Sequence, residues 1–325
     1  MDKLFISIYG KHIEEFIALK RKLGFKFIAG EIYLSQIDQM AETLGEESEG
    51  ITREFAKRCY EKKPCETRLT SYTKVSFLAQ FSRYLQDIGI PSFVPKLPPF
   101  PHSSFVPHIF SQLEVQAIFE ACDRLRLTDF QRQTSLFCMP ALLRLLYGTG
   151  IRISEARSLK IEDLDIEAQY LKVRDSKNGK ERIVPLSDSL TQVCRDYLWY
   201  RKRLTGASQS EYLFVTLNGN KVGQSVGSWF RKCLAETDIT NNTGGSPRIH
   251  DLRHTFAVTS LANMADQGID MYVSLPILSN YLGHQSLKST EYYVRLTANM
   301  FPQLVQQLDT ICLDVFPKFR NYEAD

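Results

Sequence analysis

The sequence has few features of a secreted, metal-stabilised or membrane protein. Its seven cysteines are odd in number and scattered, and none is spaced as a Cys-x-x-Cys pair. This spacing argues against a disulfide framework and against a zinc site, and it indicates reduced thiols. No apolar run approaches the length of a membrane span, and the first residues lead into no long apolar core. We therefore expect a cytoplasmic protein with no signal peptide and no contact with a membrane.

The chain also lacks a strong excess of charge of either sign. Lys and Arg number 40 and Asp and Glu number 37, which gives a formal net charge of +3. Any contact with nucleic acid must therefore come from local basic patches rather than from a global positive field. At 325 residues with 43% hydrophobic content, the chain is long enough for two domains with separate cores.

The first hundred residues are predicted to form a compact helical module. Apolar residues recur at helical spacing in four segments, at residues 12–23, 32–44, 51–62 and 69–88. Residues 91–107 contain six prolines and little helical pattern, which favours a semi-extended linker. Ser111 and Glu114 then form a capping box that starts another helix. We therefore predict a helical domain at residues 1–90, a linker at 91–107 and a second domain at 108–325.

Basic side chains are concentrated in the second half of the helical module, where they are interleaved with tyrosines. The set consists of Arg53, Lys57, Arg58, Lys62, Lys63, Arg68, Lys74 and Arg83. Such a face suits a DNA phosphate backbone, because each neutralised phosphate adds salt-sensitive affinity. A solvated helix surface without a ligand explains the same pattern equally well.

A glycine-rich turn in the second domain delivers one arginine to the start of a helix. Gly148 and Gly150 permit positive φ and a close approach of another backbone segment. Arg152 follows, and residues 154–159 are predicted to be helical, with Glu155 near the positive helix end. Arg152 could bind a phosphate bidentately or close a structural salt bridge with Glu155, and the local sequence leaves both readings open.

Further candidate residues lie downstream of this turn. Strands at 170–174 and 182–186 flank an Asn-Gly pair, which favours a two-residue hairpin turn with Lys177 beside its tip. His250 and Arg253 are three residues apart at a predicted helix start and therefore share a face. A Leu-Gly-His sequence ends at His284, and a tyrosine follows nine residues later within a predicted helix.

The order and spacing of these motifs resemble the tyrosine recombinase, or phage integrase, family. The matching elements are the Thr-Gly-x-Arg turn, the hairpin lysine, His-x-x-Arg, Leu-Gly-His and the tyrosine beyond it. The resemblance covers the second domain and implies a mainly α-helical fold with a small antiparallel β-sheet. It also implies that the first domain is a helical, SAM-like core-binding module that binds DNA.

The resemblance implies a role in DNA strand transfer for each matching residue. The positions that match the family's catalytic residues are Arg152, Lys177, His250, Arg253, His284 and Tyr293. The arginines would neutralise the phosphate oxygens, and the histidines would add hydrogen bonds and assist proton movement. The lysine would protonate the departing 5′-oxygen, and the tyrosine would attack to leave a 3′-phosphotyrosyl enzyme. Glu155 matches the acidic position that orients the first arginine.

The resemblance further implies a site-specific recombinase that needs no metal, nucleotide or other cofactor, since the phosphotyrosyl ester retains the energy of the broken bond. Its partners would be double-stranded DNA with a specific core site and further copies of the chain, with or without related recombinases, in a dimer or tetramer. We expect integration, excision or transposition of a mobile element through a Holliday junction, by a nucleoid-associated protein. The alternatives are Xer-like chromosome resolution, DNA relaxation like that of a type IB topoisomerase, and architectural DNA binding without catalysis.

Two adjacent tyrosines compete for the position of the nucleophile. Adjacent helical side chains point about 100° apart, so only one can enter a site. Periodicity favours packing of Tyr292 against Leu296, and the family's Thr-x-x-Tyr pattern selects Tyr293, whereas His254 is predicted to be structural.

The last third of the chain carries two further expectations. The interval between the second arginine and the Leu-Gly-His sequence is longer than is usual in the family, so we expect an extra loop at residues 265–276. An apolar helical stripe at residues 301–315 is expected to pack either on its own domain or on a neighbouring subunit.

Overall fold

The computed structural model describes residues 5–61, 66–101, 106–126, 133–174, 181–204, 209–241, 244–284, 290, 293 and 296. The chain divides into two compact units, Met1–Phe105 and Val106–Asp325. The described residues form eleven α-helices and one sheet of three short antiparallel strands. The expectation of a mainly α-helical chain with a small antiparallel sheet is therefore confirmed.

The first unit contains a helix for each of the four predicted segments. They are α1 (Gly10–Lys22), α2 (Ile28–Leu44), α3 (Arg53–Cys59) and α4 (Arg68–Asp87). Thr52 starts α3 by accepting a hydrogen bond from Phe55 N at 3.1 Å, as expected of an N-cap threonine. Because α3 begins after this cap and ends at Cys59, it is shorter than the predicted range of 51–62.

Aromatic side chains form the core of the first unit. Tyr9, Phe55 and Phe81 are fully buried, with the Tyr9 ring 5.5 Å from the Phe55 ring and 6.3 Å from the Phe81 ring. The Tyr9 hydroxyl donates to Gly50 O at 3.3 Å, so its burial leaves the polar atom satisfied. Burial of each ring stabilises the fold by about 1.5–3 kcal/mol.

The proline-rich segment begins by packing on the first unit. Its described residues contain neither helix nor strand, as predicted. Phe93 N donates to Ile51 O at 2.7 Å, and Ile51 N donates to Ser92 Oγ at 3.2 Å. These hydrogen bonds fix the start of the segment to the helical unit, so this part is not a free spacer.

The second unit carries the remaining helices. They are α5 (Gln112–Arg124), α6 (Met139–Thr149), α7 (Ile153–Ala156), α8 (Asp188–Arg201), α9 (Ser225–Ala235), α10 (Asp251–Asp266) and α11 (Met271–Leu282). The predicted capping box starts α5, since Ser111 Oγ accepts from Glu114 N at 3.2 Å and Glu114 Oε2 accepts from Ser111 N at 2.7 Å. Helix α6 packs against α5, α8 and α10, which makes it the central helix of this unit.

The sheet lies between α7 and α8 in the sequence. Strands β1 (Leu164–Asp165), β2 (Tyr170–Val173) and β3 (Arg182–Pro185) pair in that order, and Val173 is opposite Arg182. Leu171, Val173 and Val184 point into the core, so one face of the sheet is buried. The predicted Asn-Gly turn between β2 and β3, with Lys177, lies outside the described residues.

The structure corrects two expectations about local geometry. Helix α7 is four residues long rather than extending through residue 159, because Leu159 O accepts from Leu213 N at 2.8 Å and draws the chain away from the helix axis. The extra loop expected at residues 265–276 is also wrong. A four-residue turn at 267–270 joins α10 to α11, and Pro276 lies inside α11.

Candidate active site

Arg152 is placed by a left-handed turn at the end of α6. Gly150 has φ +60°, and a Cβ on it would lie 2.3 Å from Phe256 Cδ1, so this position requires glycine for both conformation and space. Gly148, which also permits positive φ, lies within α6 and does not adopt it. Arg152 follows in extended conformation as the N-cap residue of α7.

The carboxylate of Glu155 holds Arg152 in place. Its Oε2 accepts from Arg152 N at 2.8 Å, and its Oε1 accepts from Arg152 Nη1 at 2.9 Å. Burial alone would raise the pKa of Glu155, but hydrogen bonds from Arg182 and Arg152 outweigh it and lower the pKa to about 2. Glu155 is therefore ionised at neutral pH and contacts the arginine it was predicted to orient.

Arg253 lies beside Arg152, on the first turn of α10. It is 3% exposed and donates to Gly150 O and Leu282 O, each at 2.8 Å. Burial, followed by the charge of Arg152, lowers the pKa of Arg253 to about 10. The guanidinium therefore stays charged at neutral pH although it is almost fully enclosed.

The carboxyl end of α11 brings these two like charges together. Gly283 caps the helix with φ +66°. Arg152 Nη2 donates to Gly283 O at 3.2 Å, and Arg253 donates to the preceding carbonyl of Leu282. The carbonyls at a helix end carry partial negative charge, so this end stabilises neighbouring cations.

His284 follows this cap and contacts Arg253. Because a guanidinium only donates, the 3.1 Å contact from Arg253 Nη2 assigns His284 Nε2 as the acceptor. His284 Nδ1 then carries the proton and donates to Thr290 Oγ1 at 2.8 Å. Burial, followed by the charges of Arg253 and Arg152, lowers the pKa of His284 to about 4. The imidazole is therefore neutral at pH 7.

The other two histidines of the site are neutral for the same reasons. Burial, followed by the charge of Arg253, lowers the pKa of His250 to about 4. Burial, followed by the charge of His250, lowers the pKa of His254 to about 3. The ring centroids of His250 and His254 are 5.0 Å apart. The arginines, rather than the histidines, therefore supply the positive charge of the site.

Tyr293 lies against these imidazoles. Its ring is stacked on His284 with centroids 6.0 Å apart and an interplanar angle of 12°, and it lies 5.6 Å from the ring of His254. Tyr293 is 3% exposed and belongs to the same apolar cluster as Leu282 and Leu296. Tyr292 lies outside the described residues.

Six of the predicted residues therefore meet in one place, although their segments are separated by up to 141 positions. They are Arg152, Glu155, His250, Arg253, His284 and Tyr293. Lys177 lies outside the described residues. In the part of the chain that the structure describes, no group of three or more His, Cys, Asp and Glu side chains is arranged to hold a metal ion.

Sequence reasoning missed three contributors to this site. Arg182, at the start of β3, donates to both oxygens of Glu155. Thr290, noted only as part of a spacing pattern, accepts from His284. The ring of His254 packs beside Tyr293, a contact that the sequence does not predict, and the structural role expected of His254 stays a prediction. No local pattern marks the contacts of Arg182 and His254, because these join segments that are far apart in the sequence, whereas Thr290 is only six residues from His284.

The basic side chains of the first unit differ in their availability. The exposed members of the set are Arg53, Lys57, Arg58, Arg68 and Arg83. Lys74 is only 15% exposed at its side chain, and its ammonium lies 2.5 Å from Glu66 Oε1. Lys62 and Lys63 lie outside the described residues. The charge of Lys74 is therefore already paired within the protein, whereas the exposed members of the set form no ion pair with any residue that the structure describes.

The sequence is similar to those of known integrases and recombinases. The model of the phage integrase family matches residues 109–300. A Sinorhizobium fredii protein named as an integrase/recombinase, y4rB, is 30% identical over 315 residues, covering 94% of this chain and 98% of that protein. The tyrosine recombinase XerA of Pyrococcus furiosus is 31% identical, covering 75% of this chain and 72% of its own length.

Two solved structures share the fold. The Tn1549 transposon integrase in complex with transposon right end DNA matches with a TM-score of 0.60 at 16% identity, covering 91% of this chain and 100% of that one. A lambda integrase dimer bound to a core site matches with a TM-score of 0.59 at 16% identity, covering 87% of this chain and 76% of that one.

In the described segments, no helix is both long and apolar enough to cross a membrane.

Proposed function

The chain belongs to the phage integrase family, whose members cut and rejoin DNA strands, and we propose that it does so through a covalent 3′-phosphotyrosyl intermediate. One observation carries this proposal. Two arginines, the neutral imidazole of His284 and a tyrosine from four separate segments converge around the carboxyl end of α11, and the neutral imidazole of His250 lies one turn before the second arginine. A phosphodiester needs such an arrangement, because its charge must be neutralised before a nucleophile can approach.

In the proposed reaction, Tyr293 Oη attacks the scissile phosphorus and the bond from phosphorus to the 5′-oxygen breaks. Arg152 and Arg253 neutralise the non-bridging oxygens, whose charge increases in the transition state. The phenolic proton passes to the neutral imidazole of His250, and His284 assists by accepting the hydrogen bond that holds Arg253 in place. Lys177 protonates the departing 5′-oxygen. Attack by a free 5′-hydroxyl on the phosphotyrosyl ester reverses these steps and joins the strand, so the number of phosphodiester bonds is conserved.

We propose double-stranded DNA with a specific core site as the substrate, bound by a dimer or tetramer of the chain, with or without related recombinases. The lambda integrase dimer on its core site and the lambda integrase tetramer on a Holliday junction support this assembly. Exchange of both strand pairs would pass through such a junction. We also propose that the protein acts on this DNA in the cytoplasm, at the nucleoid.

We also propose a separate role for each segment of the chain. The helical module at residues 1–90 would bind the DNA backbone through the exposed basic residues of α3 and α4. The segment at 91–107 would connect it to a catalytic domain at 108–325. The segment at residues 301–325, which lies outside the described residues, would dock on a neighbouring subunit and link the activities of the protomers.

Integration, excision or transposition of a mobile element is the biological role that we propose. The similarity to y4rB over nearly the whole chain and the shared fold of the Tn1549 transposon integrase support this role. Chromosome resolution is the second candidate, supported by 31% identity to XerA over 75% of the chain.

A nicked suicide duplex tests the chemistry. The DNA that the protein captures covalently is sequenced to define the core site, and a duplex nicked beside that site then traps the adduct because the cut fragment is lost. We expect Tyr293→Phe to abolish the adduct and to leave DNA binding unchanged. The matched control is Tyr292→Phe, which should form the adduct. An adduct that persists in Tyr293→Phe and disappears in Tyr292→Phe would reverse the assignment of the nucleophile.

A further inference from the structure

We infer that Arg182 is a positioning residue that keeps Arg152 available to the scissile phosphate by controlling the carboxylate of Glu155. The inference rests on the proposed function, since it assigns to Arg152 the role of a phosphate clamp. Arg182 opens strand β3, and its side chain is 11% exposed. It therefore lies beneath the site, where it contacts a residue of the site without being exposed to DNA.

The Glu155 carboxylate accepts four hydrogen bonds, and Arg182 supplies two of them. Arg182 Nη1 donates to Oε1 at 3.2 Å, and Nη2 donates to Oε2 at 2.8 Å. This is the bidentate geometry in which a guanidinium fork fixes the plane of a carboxylate. The other two donors are the backbone N and Nη1 of Arg152.

Arg152 therefore binds Glu155 through only one nitrogen of its guanidinium. Nη1 contacts Glu155 and, at 3.5 Å, Leu282 O, while Nη2 donates one hydrogen bond to Gly283 O. No residue within the described ranges accepts from Nε of Arg152. A guanidinium has five N–H groups, so this arrangement leaves donors for an incoming phosphate.

Loss of Arg182 would change the geometry of this pair. A buried carboxylate without its fork partner gains most by closing a bidentate pair with the nearest guanidinium, which is that of Arg152. Such a pair would use N–H groups that the phosphate needs and would rotate the guanidinium towards Glu155. Arg182 prevents this by occupying both carboxylate oxygens itself.

The surroundings of Arg182 provide room for its guanidinium at the site. A Cβ on Gly283 would lie 3.1 Å from Arg182 Nη1, so the glycine that turns the end of α11 also makes space for this side chain. The charge of Arg182 contributes, after burial and the other two arginines, to the lowered pKa of His284. Arg182 is therefore close enough to act on the site both sterically and electrostatically.

The test compares two substrates whose scissile phosphates differ in charge. One suicide duplex has the normal phosphodiester, and the other has a methylphosphonate, in which a methyl group replaces one non-bridging oxygen and removes the negative charge. We expect Arg182→Met to slow adduct formation on the phosphodiester by up to about 100-fold and on the methylphosphonate by much less. The ratio of the phosphodiester rate to the methylphosphonate rate should therefore fall in Arg182→Met, and it should also fall in Arg152→Ala.

The ratio of the two rates makes the test independent of protein stability, because the same folded molecules cut both substrates. Arg182→Lys keeps the charge without the fork, so it should also lower the ratio, and it serves if Arg182→Met does not fold. Arg174→Met is the matched control, since Arg174 pairs with buried Asp163 next to the same sheet and does not contact Glu155. Its ratio should equal that of the unaltered protein.

Several results would overturn the inference. Equal slowing of Arg182→Met on both substrates would indicate a purely structural role, and a normal ratio in Arg182→Lys would show that the fork is unnecessary. A defect relieved only by a 5′-thio leaving group would place the effect on protonation of the leaving oxygen instead. If the unaltered protein forms no adduct with either duplex, the proposed function itself fails, which is a distinct result.

Discussion

Gly150→Ala is expected to damage the fold and the active site together. The substitution puts a side chain at φ +60°, where a non-glycine residue costs about 1–2 kcal/mol. The new Cβ would also lie 2.3 Å from Phe256 Cδ1, and overpacking of this kind costs about 1–3 kcal/mol. The combined loss in the free energy of unfolding is about 2–5 kcal/mol.

The clash cannot be relieved by a simple rotation of the Phe256 ring. That ring is stacked on Tyr281, with centroids 5.4 Å apart and an interplanar angle of 19°. The backbone at Gly150 must therefore move, and its carbonyl accepts the 2.8 Å hydrogen bond from Arg253 Nη1. We expect adduct formation on a suicide duplex to fall in Gly150→Ala beyond what the folded fraction accounts for.

Gly268→Ala separates conformational strain from the clash. Gly268 has φ +76°, and a Cβ on it would meet nothing within 4 Å. Denaturant titration should therefore show a loss of only about 1–2 kcal/mol for this control, with adduct formation per folded molecule unchanged. Phe256→Ala combined with Gly150→Ala should cost less than the sum of the two single changes. Equal losses for Gly150→Ala and Gly268→Ala, with additive behaviour in the double variant, would refute the reasoning.

Three further outcomes are expected. The pKa of Glu155 is lowered from 4.5 to about 2, so its ionised form stabilises the fold above pH 4.5, and this contribution disappears as the pH falls towards 2. Glu155→Gln should therefore lower the free energy of unfolding by about 3 kcal/mol in denaturant titrations at pH 7. It should also flatten the dependence of stability on pH between pH 4.5 and 2. With the pKa of His250 and His284 lowered to about 4, the rate of adduct formation should show no histidine inflection near pH 6.5, whereas such an inflection would contradict their burial. Arg68→Met should reduce the slope of log K for DNA binding against log salt concentration by about one, the value expected for one lost phosphate contact. Lys74→Met should leave this slope almost unchanged, because Lys74 is already paired. Equal slopes in the two variants would contradict this difference.

The helices of the first unit show how far local pattern reaches. Apolar spacing located all four, because burial of one face is what stabilises an amphipathic helix. The starts of α3 and α4 are set by capping threonines, Thr52 and Thr67, and not by periodicity. The availability of Lys74 could not be predicted in the same way, since its pairing with Glu66 depends on packing at the start of α4.

The turn between α10 and α11 shows where family spacing misleads. The long interval suggested an extra loop, but α10 and α11 take up all but four residues of 251–282, and Pro276 is accommodated inside α11. A proline removes one backbone donor and does not by itself end a helix that is held by tertiary contacts. Helix α11 then ends at Gly283, where its carbonyls meet both arginines.

By itself, the sequence determined the helical segments, the capping box of α5, and the identity of the residues that the family motifs mark. Those features depend on hydrogen bonds and burial patterns within a few residues of one another. Only the tertiary structure decided that Glu155 is shared by Arg152 and Arg182, that His284 is held in one tautomer by Thr290, and that the end of α11 joins two guanidiniums. The contact of Glu155 with Arg182 and those of the α11 end with both guanidiniums join segments far apart in the sequence, and a partner across such a distance leaves no periodic trace. Thr290 is only six residues from His284, but this spacing does not decide which ring nitrogen carries the proton.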